Sequence, residues 1–181
     1  MHESKDPAMK SPRKKKFHGR NDVKWLPNSH TCFVCGEGNH AGLQTRFYVE
    51  DDKVKTLLQA EEHHCGYRNT VHGGVVAAVL DECMGWAAGR AIGLMCYTGE
   101  LIVRYVRPVP ADRDLVVVAE VVRSSKRLAH VKGVIIDSEG VEYAKSEGRF
   151  IPLSVEQTLE VDDNLIYRGD EEQVFDHLRH L

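Results

Sequence analysis

The chain has 181 residues, with 24 Lys+Arg against 27 Asp+Glu and a formal net charge of -3. That length suits one domain with additions, and 42% hydrophobic with 28% charged residues excludes a wholly disordered chain. The longest apolar run, Val75 to Leu80, is too short to span a membrane, and five cysteines form no evident disulfide framework.

The N-terminus is polar and basic, with no apolar run behind it to make a signal peptide, so a reducing cytoplasm is the expected location. Residues 1–24 hold eight basic and three acidic side chains, including the run Arg13, Lys14, Lys15, Lys16. Such a stretch buries too little to offset its ordering entropy, and residues 1–27 read as a disordered basic extension. Four like charges beside one aromatic, Phe17, make a weak nucleic-acid signal, and a solvated tail is the favoured reading.

Cys32-Phe33-Val34-Cys35-Gly36 follows. Cys-x-x-Cys suggests half of a zinc site or a redox pair, and His30, His40, His63, His64 and Cys65 are candidates to complete a metal set. No second Cys-x-x-Cys stands at finger spacing, so a packed, reduced turn is preferred and neither metal nor cofactor is expected.

Thr45–Glu50 and Val54–Ala60 read as a hairpin around Asp51-Asp52-Lys53. Gly73–Ile92 is the one long helical segment. It is apolar on nearly every side, which marks a buried helix. Cys96–Val106, Asp114–Arg123, Ala129–Ile136 and Glu142–Ile151 read as further strands. One buried helix and five to six mostly antiparallel strands imply an α+β domain, a sheet wrapped around a central helix. Such a sheet leaves an edge for an oligomer to cover. The last segment, residues 154–181, holds eight acidic and two basic side chains. There Asp170 is expected to cap a short helix with Val174, Phe175, Leu178 and Leu181 as its apolar stripe.

The chemistry concentrates at the helix start. His72-Gly73-Gly74 exposes first-turn N–H groups at the positive end of the helix dipole, a place to hold an oxyanion. Asp81 and Glu82 follow about two turns on, pointing about 100° apart, so they do not form one dyad. Each needs a partner or a wet cavity, and a buried ion pair with Arg90 or Arg104 is the alternative.

The segment from His63 to Glu82 resembles the signature of hot dog fold thioesterases, nearest to PaaI-like acyl-CoA thioesterases. Thr98–Pro108 and Glu142–Phe150 resemble the strands that follow it, and the Cys32–Leu43 stretch resembles a leader found in a subgroup. The likeness runs over roughly residues 30–153, making 28–153 the hot dog domain. It implies hydrolysis of an acyl-CoA by a homodimer, or a dimer of dimers, with sites at the dimer interface and no nucleic-acid or membrane partner. By position, Asp81 is the catalytic carboxylate, either general base or nucleophile. Gly73 or Gly74 supplies the oxyanion N–H from the opposite subunit, His72 sets that loop, and Thr98 assists the water. Some relatives place Asn where this chain has Gly66, and His64 or Asn69 is expected to substitute. A non-catalytic binder of acyl-CoA or another small ligand is the alternative. Glu82 is grouped with the substrate-binding candidates. Arg104, Lys126 and Arg127, with Arg107 and Arg149, are candidates for a basic rim toward CoA phosphates, although ordinary surface charge explains each as well. Thr98, Glu100, Ile102 and Arg104 are expected on one strand face. Met84, Trp86, Met95 and Tyr97 are core or pocket lining.

Overall fold

The computed structural model describes residues 23–180. The readings made for residues 1–22 and for Leu181 lie outside them. The chain runs β1 (Lys24–Trp25), β2 (Asn28–Ser29), β3 (Phe47–Glu50), β4 (Lys53–Leu58), β5 (Cys65–Tyr67), β6 (Thr70–Val71), α1 (Gly73–Ile92), β7 (Cys96–Tyr105), β8 (Leu115–Ser125), β9 (Leu128–Ile136), β10 (Glu142–Pro152), α2 (Val155–Asp162) and β11 (Leu165–Ile166). One seven-stranded sheet has the order β1-β3-β4-β8-β9-β10-β7, and every pairing in it is antiparallel. The sheet gains its seventh strand from β1, so the ordered fold begins before residue 28: Lys24 and Trp25 pair with Val49 and Tyr48, and Leu26 is fully buried.

Helix α1 lies across one face of this sheet, touching β4 and β7 through β10. Its boundaries follow from local chemistry. His72 caps the start, its Nδ1 accepting the Gly74 N–H at 3.0 Å. Gly93 ends it in the left-handed region at φ 79°, its N–H returning to Gly89 O. The helix is apolar on several sides because it has several neighbours. Val76, Val79, Leu80, Cys83, Met84 and Ala88 have almost no exposure. At Gly133 of β9 a Cβ would stand 3.1 Å from both Leu80 Cδ2 and Met84 Sδ, so the helix crosses where the sheet surface has no side chain. Alternate residues of β8 and β9 (Leu115, Val117, Ala119; Ala129, Val131, Ile135) supply the core from below.

The C-terminal segment differs from expectation. Its helix is α2, capped by Ser154, whose Oγ accepts the Gln157 N–H at 3.2 Å while the Gln157 side chain returns to the Ser154 N–H. Asp170 caps no helix. Phe175 precedes a 3-10 turn at Asp176–His180, and its ring stacks on Trp86 of α1 with centroids 6.5 Å apart. Two acidic side chains of this segment tie it to cations on the domain. Arg46 meets Glu171 at 2.8 Å, and Arg90 forks onto both oxygens of Glu172 at 3.1 Å. Arg90 is therefore the partner of Glu172, not of Asp81 or Glu82.

Candidate active site

Asp81 is half-buried on α1 and accepts a hydrogen bond from the Thr98 hydroxyl at 2.7 Å. Burial raises its carboxyl above the ordinary aspartate range, and the Thr98 hydroxyl opposes that by stabilising the charged form. The Asp81–Thr98 contact depends on an irregularity. The register of β10 against β7 skips Gly99, pairing Phe150 with Thr98 and Arg149 with Glu100. This bulge reverses the alternation, placing Thr98 on the helix side of the sheet while Glu100, Ile102 and Arg104 face outward. The expectation of one shared face is corrected accordingly. Arg104 cannot turn toward Asp81 of its own chain, and Arg149 pairs with Glu100 at 3.2 Å.

The helix start is the second part. Since His72 Nδ1 takes the Gly74 N–H and His72 O takes those of Val75 and Val76, the Gly73 N–H is the first-turn amide of α1 that meets no acceptor among the described residues. Tyr105, which the sequence reading did not single out, donates its hydroxyl to Gly73 O at 2.8 Å and holds this turn against β7. The groove over it has a volume of about 750 Å³ and is walled by Val71, Val76, Val106, Pro108 and Val109, with His72, Tyr105 and Arg107 among its polar members. The two parts are separate in one chain. Asp81 lies eight residues beyond Gly73, about 12 Å along the helix axis.

The remaining sequence candidates divide clearly. Gly66 lines the groove, and a Cβ there would approach His72 Cδ2 to 3.1 Å. Asn69 occupies the β5–β6 turn at φ 56°, and its carbonyl receives the Ala111 N–H. His64 is 3% exposed. Its Nδ1 accepts the Glu61 N–H at 3.0 Å and its Nε2 donates to Gly42 O at 3.3 Å. Both ring nitrogens are consumed, so His64 is a buried brace and not a substrate ligand. Lys126 and Arg127 cap the β8–β9 turn. Through the pairs Ser124–Ala129, Ala129–Phe150 and Phe150–Thr98, that turn belongs to the Thr98 end of the sheet. The groove belongs to the Tyr105 end, seven residues or about 23 Å of strand away.

Glu82 is also reassigned. It faces away from Asp81 into the leader, accepting the Cys35 thiol at 3.1 Å and lying 3.5 Å from the Cys32 sulfur. Burial pushes its carboxyl up to about 8. The Cys35 thiol hydrogen bond, aided by backbone N–H groups of Cys35 and Val34, holds Cys32 down at about 5, while the same contact and burial push Cys35 up. His63 and His64 lie against each other with ring centroids 3.9 Å apart and planes tilted by 47° instead of joining the cysteines, and the Cys65 sulfur points to Glu61 O. Met84 and Trp86 are buried core, whereas Tyr97 is half-exposed on β7.

Strand β7 forms one border of the sheet and, among the described residues, is hydrogen-bonded to a strand on one side only. It presents Tyr97, Ile102 and Tyr105 at 52–60% exposure, an unusually long and apolar free edge. No helix among the described residues is long and apolar enough to cross a membrane.

Comparison with known proteins agrees with this geometry. The family model described as thioesterase superfamily matches residues 68–144. A solved thioesterase superfamily protein is 26% identical over 67% of this chain and 63% of its own, with a TM-score of 0.62. The chain thus spans somewhat under two thirds of that relative. The E. coli PaaI protein from the phenylacetic acid degradation operon is similar in fold at 16% identity, covering 62% of this chain and 81% of its own, with a TM-score of 0.57. So is a hypothetical thioesterase from Streptococcus pneumoniae TIGR4 solved with coenzyme A, at 19% identity over 59% of this chain and 82% of its own, with a TM-score of 0.54. No curated protein matches the chain. The long helix on a large antiparallel sheet is the hot dog fold.

Proposed function

We propose that this chain, a hot dog protein of the thioesterase superfamily, hydrolyses an acyl-CoA thioester to a free acid and CoA at sites shared by two copies. The observation that carries the reading is the Asp81–Thr98 pair at 2.7 Å, set two helix turns from the one unclaimed first-turn amide, Gly73. A thioester carbonyl needs its oxyanion donor and its attacking oxygen within about 3 Å of the same centre. Asp81 and Gly73 of one protomer stand about 12 Å apart along the helix and cannot both reach it. A second copy placed by two-fold pairing along β7 brings its own Gly73 opposite this Asp81.

In that arrangement the acyl carbonyl oxygen accepts the Gly73 N–H at the positive end of α1. Asp81 then takes the proton from water as the oxygen attacks, or attacks the carbonyl itself to give a mixed anhydride that water hydrolyses once the thiolate has left. Thr98 donates to Asp81 and fixes which carboxylate oxygen faces the reaction. The tetrahedral intermediate collapses with expulsion of the CoA thiolate. Removing one oxyanion donor costs about 2.7–4 kcal/mol in other acyl-transfer enzymes, and a positioned general base contributes roughly 100- to 10,000-fold. The apolar groove at the helix start suits an acyl or pantetheine arm, with Arg107 at its rim for phosphate. The coenzyme A held by the Streptococcus pneumoniae fold relative supports this class of ligand.

The test is an acyl-CoA panel from acetyl through long-chain to aromatic, followed by free-thiol release. Wild type turns over at least one member, and Asp81→Asn lowers kcat at least 100-fold with the fold intact. Full activity in Asp81→Asn refutes the role of Asp81. Gly66, bare where some relatives carry Asn, favours a second reading, a non-catalytic acyl-CoA binder. Tight binding across the panel without any thiol release selects that reading.

A further inference from the structure

The Cys32-x-x-Cys35 turn and Glu82 lie 47 to 50 residues apart in sequence, yet their donor atoms all fall within 4.8 Å of one another. We infer that Cys32, Cys35 and Glu82 form a binding site for a thiolate-accepting divalent metal ion, zinc being the best match, which ties the leader to the helix that carries Asp81.

Three independent features of geometry point there. The first is spacing. Zinc bonds of about 2.3 Å to sulfur and about 2.0 Å to carboxylate oxygen make the S···O edge of a tetrahedron about 3.5 Å. The observed separations from Glu82 oxygen are 3.5 Å for Cys32 and 3.1 Å for Cys35, and the two sulfurs lie within 4.8 Å of each other, so the three donors are close enough for one ion to reach all of them with small side-chain adjustments. The second is the backbone around the sulfurs. The Val34 and Cys35 N–H groups aim at Cys32 Sγ at 3.2 and 3.5 Å, and the Ser29 N–H aims at Cys35 Sγ at 3.4 Å. N–H groups converging on sulfur stabilise negative charge there, which suits thiolate ligands better than a purely apolar thiol turn. The third is Gly36. A Cβ at this position would lie 2.2 Å from Cys32 O and 2.6 Å from Cys32 N. The turn curls so tightly on Cys32, closed by the Gly36 N–H to Cys32 O bond of 2.9 Å, that only glycine fits after the second cysteine. A close knuckle presenting two sulfurs to one side is what a shared ion requires.

Cys35 is buried, whereas Cys32 and Glu82 keep partial exposure, which gives the ion an entry path. Three protein donors leave the fourth tetrahedral position to water. Binding displaces whatever protons the two sulfurs and Glu82 carry, and the divalent ion offsets two of the three negative donor charges, leaving one net negative charge at the site. The occupied site clamps residues 32–35 onto α1, one residue from Asp81. It is distinct from the proposed thioester chemistry and stands or falls separately from it.

The test uses the reduced full-length protein, loaded with Zn²⁺ or Co²⁺ after removal of adventitious metal by a chelator. Elemental analysis should give one zinc per chain. Cobalt should produce sulfur-to-metal charge-transfer absorption together with the visible bands of a tetrahedral ion. Cys32→Ser with Cys35→Ser should abolish that absorption and weaken zinc binding at least 100-fold. Glu82→Gln should keep the charge transfer and weaken zinc binding at least 10-fold, and circular dichroism checks that each variant is folded. Wild-type protein should also melt at higher temperature with zinc than with chelator, a readout needing no variant. Substoichiometric zinc without charge-transfer absorption in the reduced wild type overturns the proposal. So does zinc binding that survives the double serine variant, or a Cys32–Cys35 disulfide that reforms under mild reductant and excludes zinc. Thiol titration detects that last outcome.

Discussion

Phe175→Ala tests whether the C-terminal segment is part of the domain or merely laid upon it. Phe175 is fully buried. Its ring lies near-parallel to Trp86 at an interplanar angle of 21°, and its Cζ comes within 3.6 Å of a Cβ placed on Gly89. Truncating a buried Phe costs about 3–5 kcal/mol, combining lost transfer energy with the cavity left behind. An aromatic pair adds about 0.5–1.5 kcal/mol to the burial. The segment is a surface strap that can settle inward, so the low end is expected, about 3 kcal/mol. For a protein of this size each kcal/mol corresponds to about 2–4 °C, so Tm should fall by about 6–12 °C. Urea unfolding at constant m gives the free energy, and calorimetry gives Tm. Limited proteolysis should cleave near residue 170 sooner than in wild type. A loss below about 1 kcal/mol with unchanged proteolysis would refute the claim that residues 154–180 complete the core.

Three further expectations follow from single contacts. Thr98→Val removes the hydroxyl that orients Asp81. A hydrogen bond to a charged group is worth about 1.5–3 kcal/mol, and the exposure of Thr98 selects the low end, so kcat should drop about tenfold with KM changed little in steady-state assays. An effect confined to KM would contradict the orienting role. Tyr105→Phe frees the Gly73 carbonyl. It should cost about 0.5–1.5 kcal/mol in urea unfolding and loosen the groove enough to raise KM, and an unaltered KM would argue that the turn is rigid without Tyr105. Ser154→Ala deletes the α2 cap, which should lower stability by about 0.5–2 kcal/mol without altering turnover, measured by chemical denaturation beside the thiol assay.

Much of the domain was legible from one dimension. Helix α1 was bounded correctly because its signals are local: a capping His72 before two glycines and Gly93 as a left-handed stop. The long strands were readable from β-branched runs between polar turns, and Asp81 stood out as one of two carboxylates in an apolar helix. The polarised charge was legible too, although the partners of Glu171 and Glu172 (Arg46 and Arg90) were not.

Tertiary structure decided what depends on distant chain segments meeting. Thr98 faces Asp81 only because β7 bulges against β10 at Gly99, and a period of two read from the sequence alone puts it on the wrong line. α2 was passed over because only eight polar-rich residues form it, stabilised by a cap and a docked surface more than by its own pattern. His64 reads as chemistry in sequence and proves to be a brace, since its partners Glu61 and Gly42 are set by folding. Gly73 is separated from Gly74 by a single side-chain rotamer at His72. Glu82 was assigned to the substrate from its place beside Asp81. The 100° turn between consecutive helix residues sends it instead to Cys32 and Cys35, a meeting of segments some 50 residues apart that packing alone arranges.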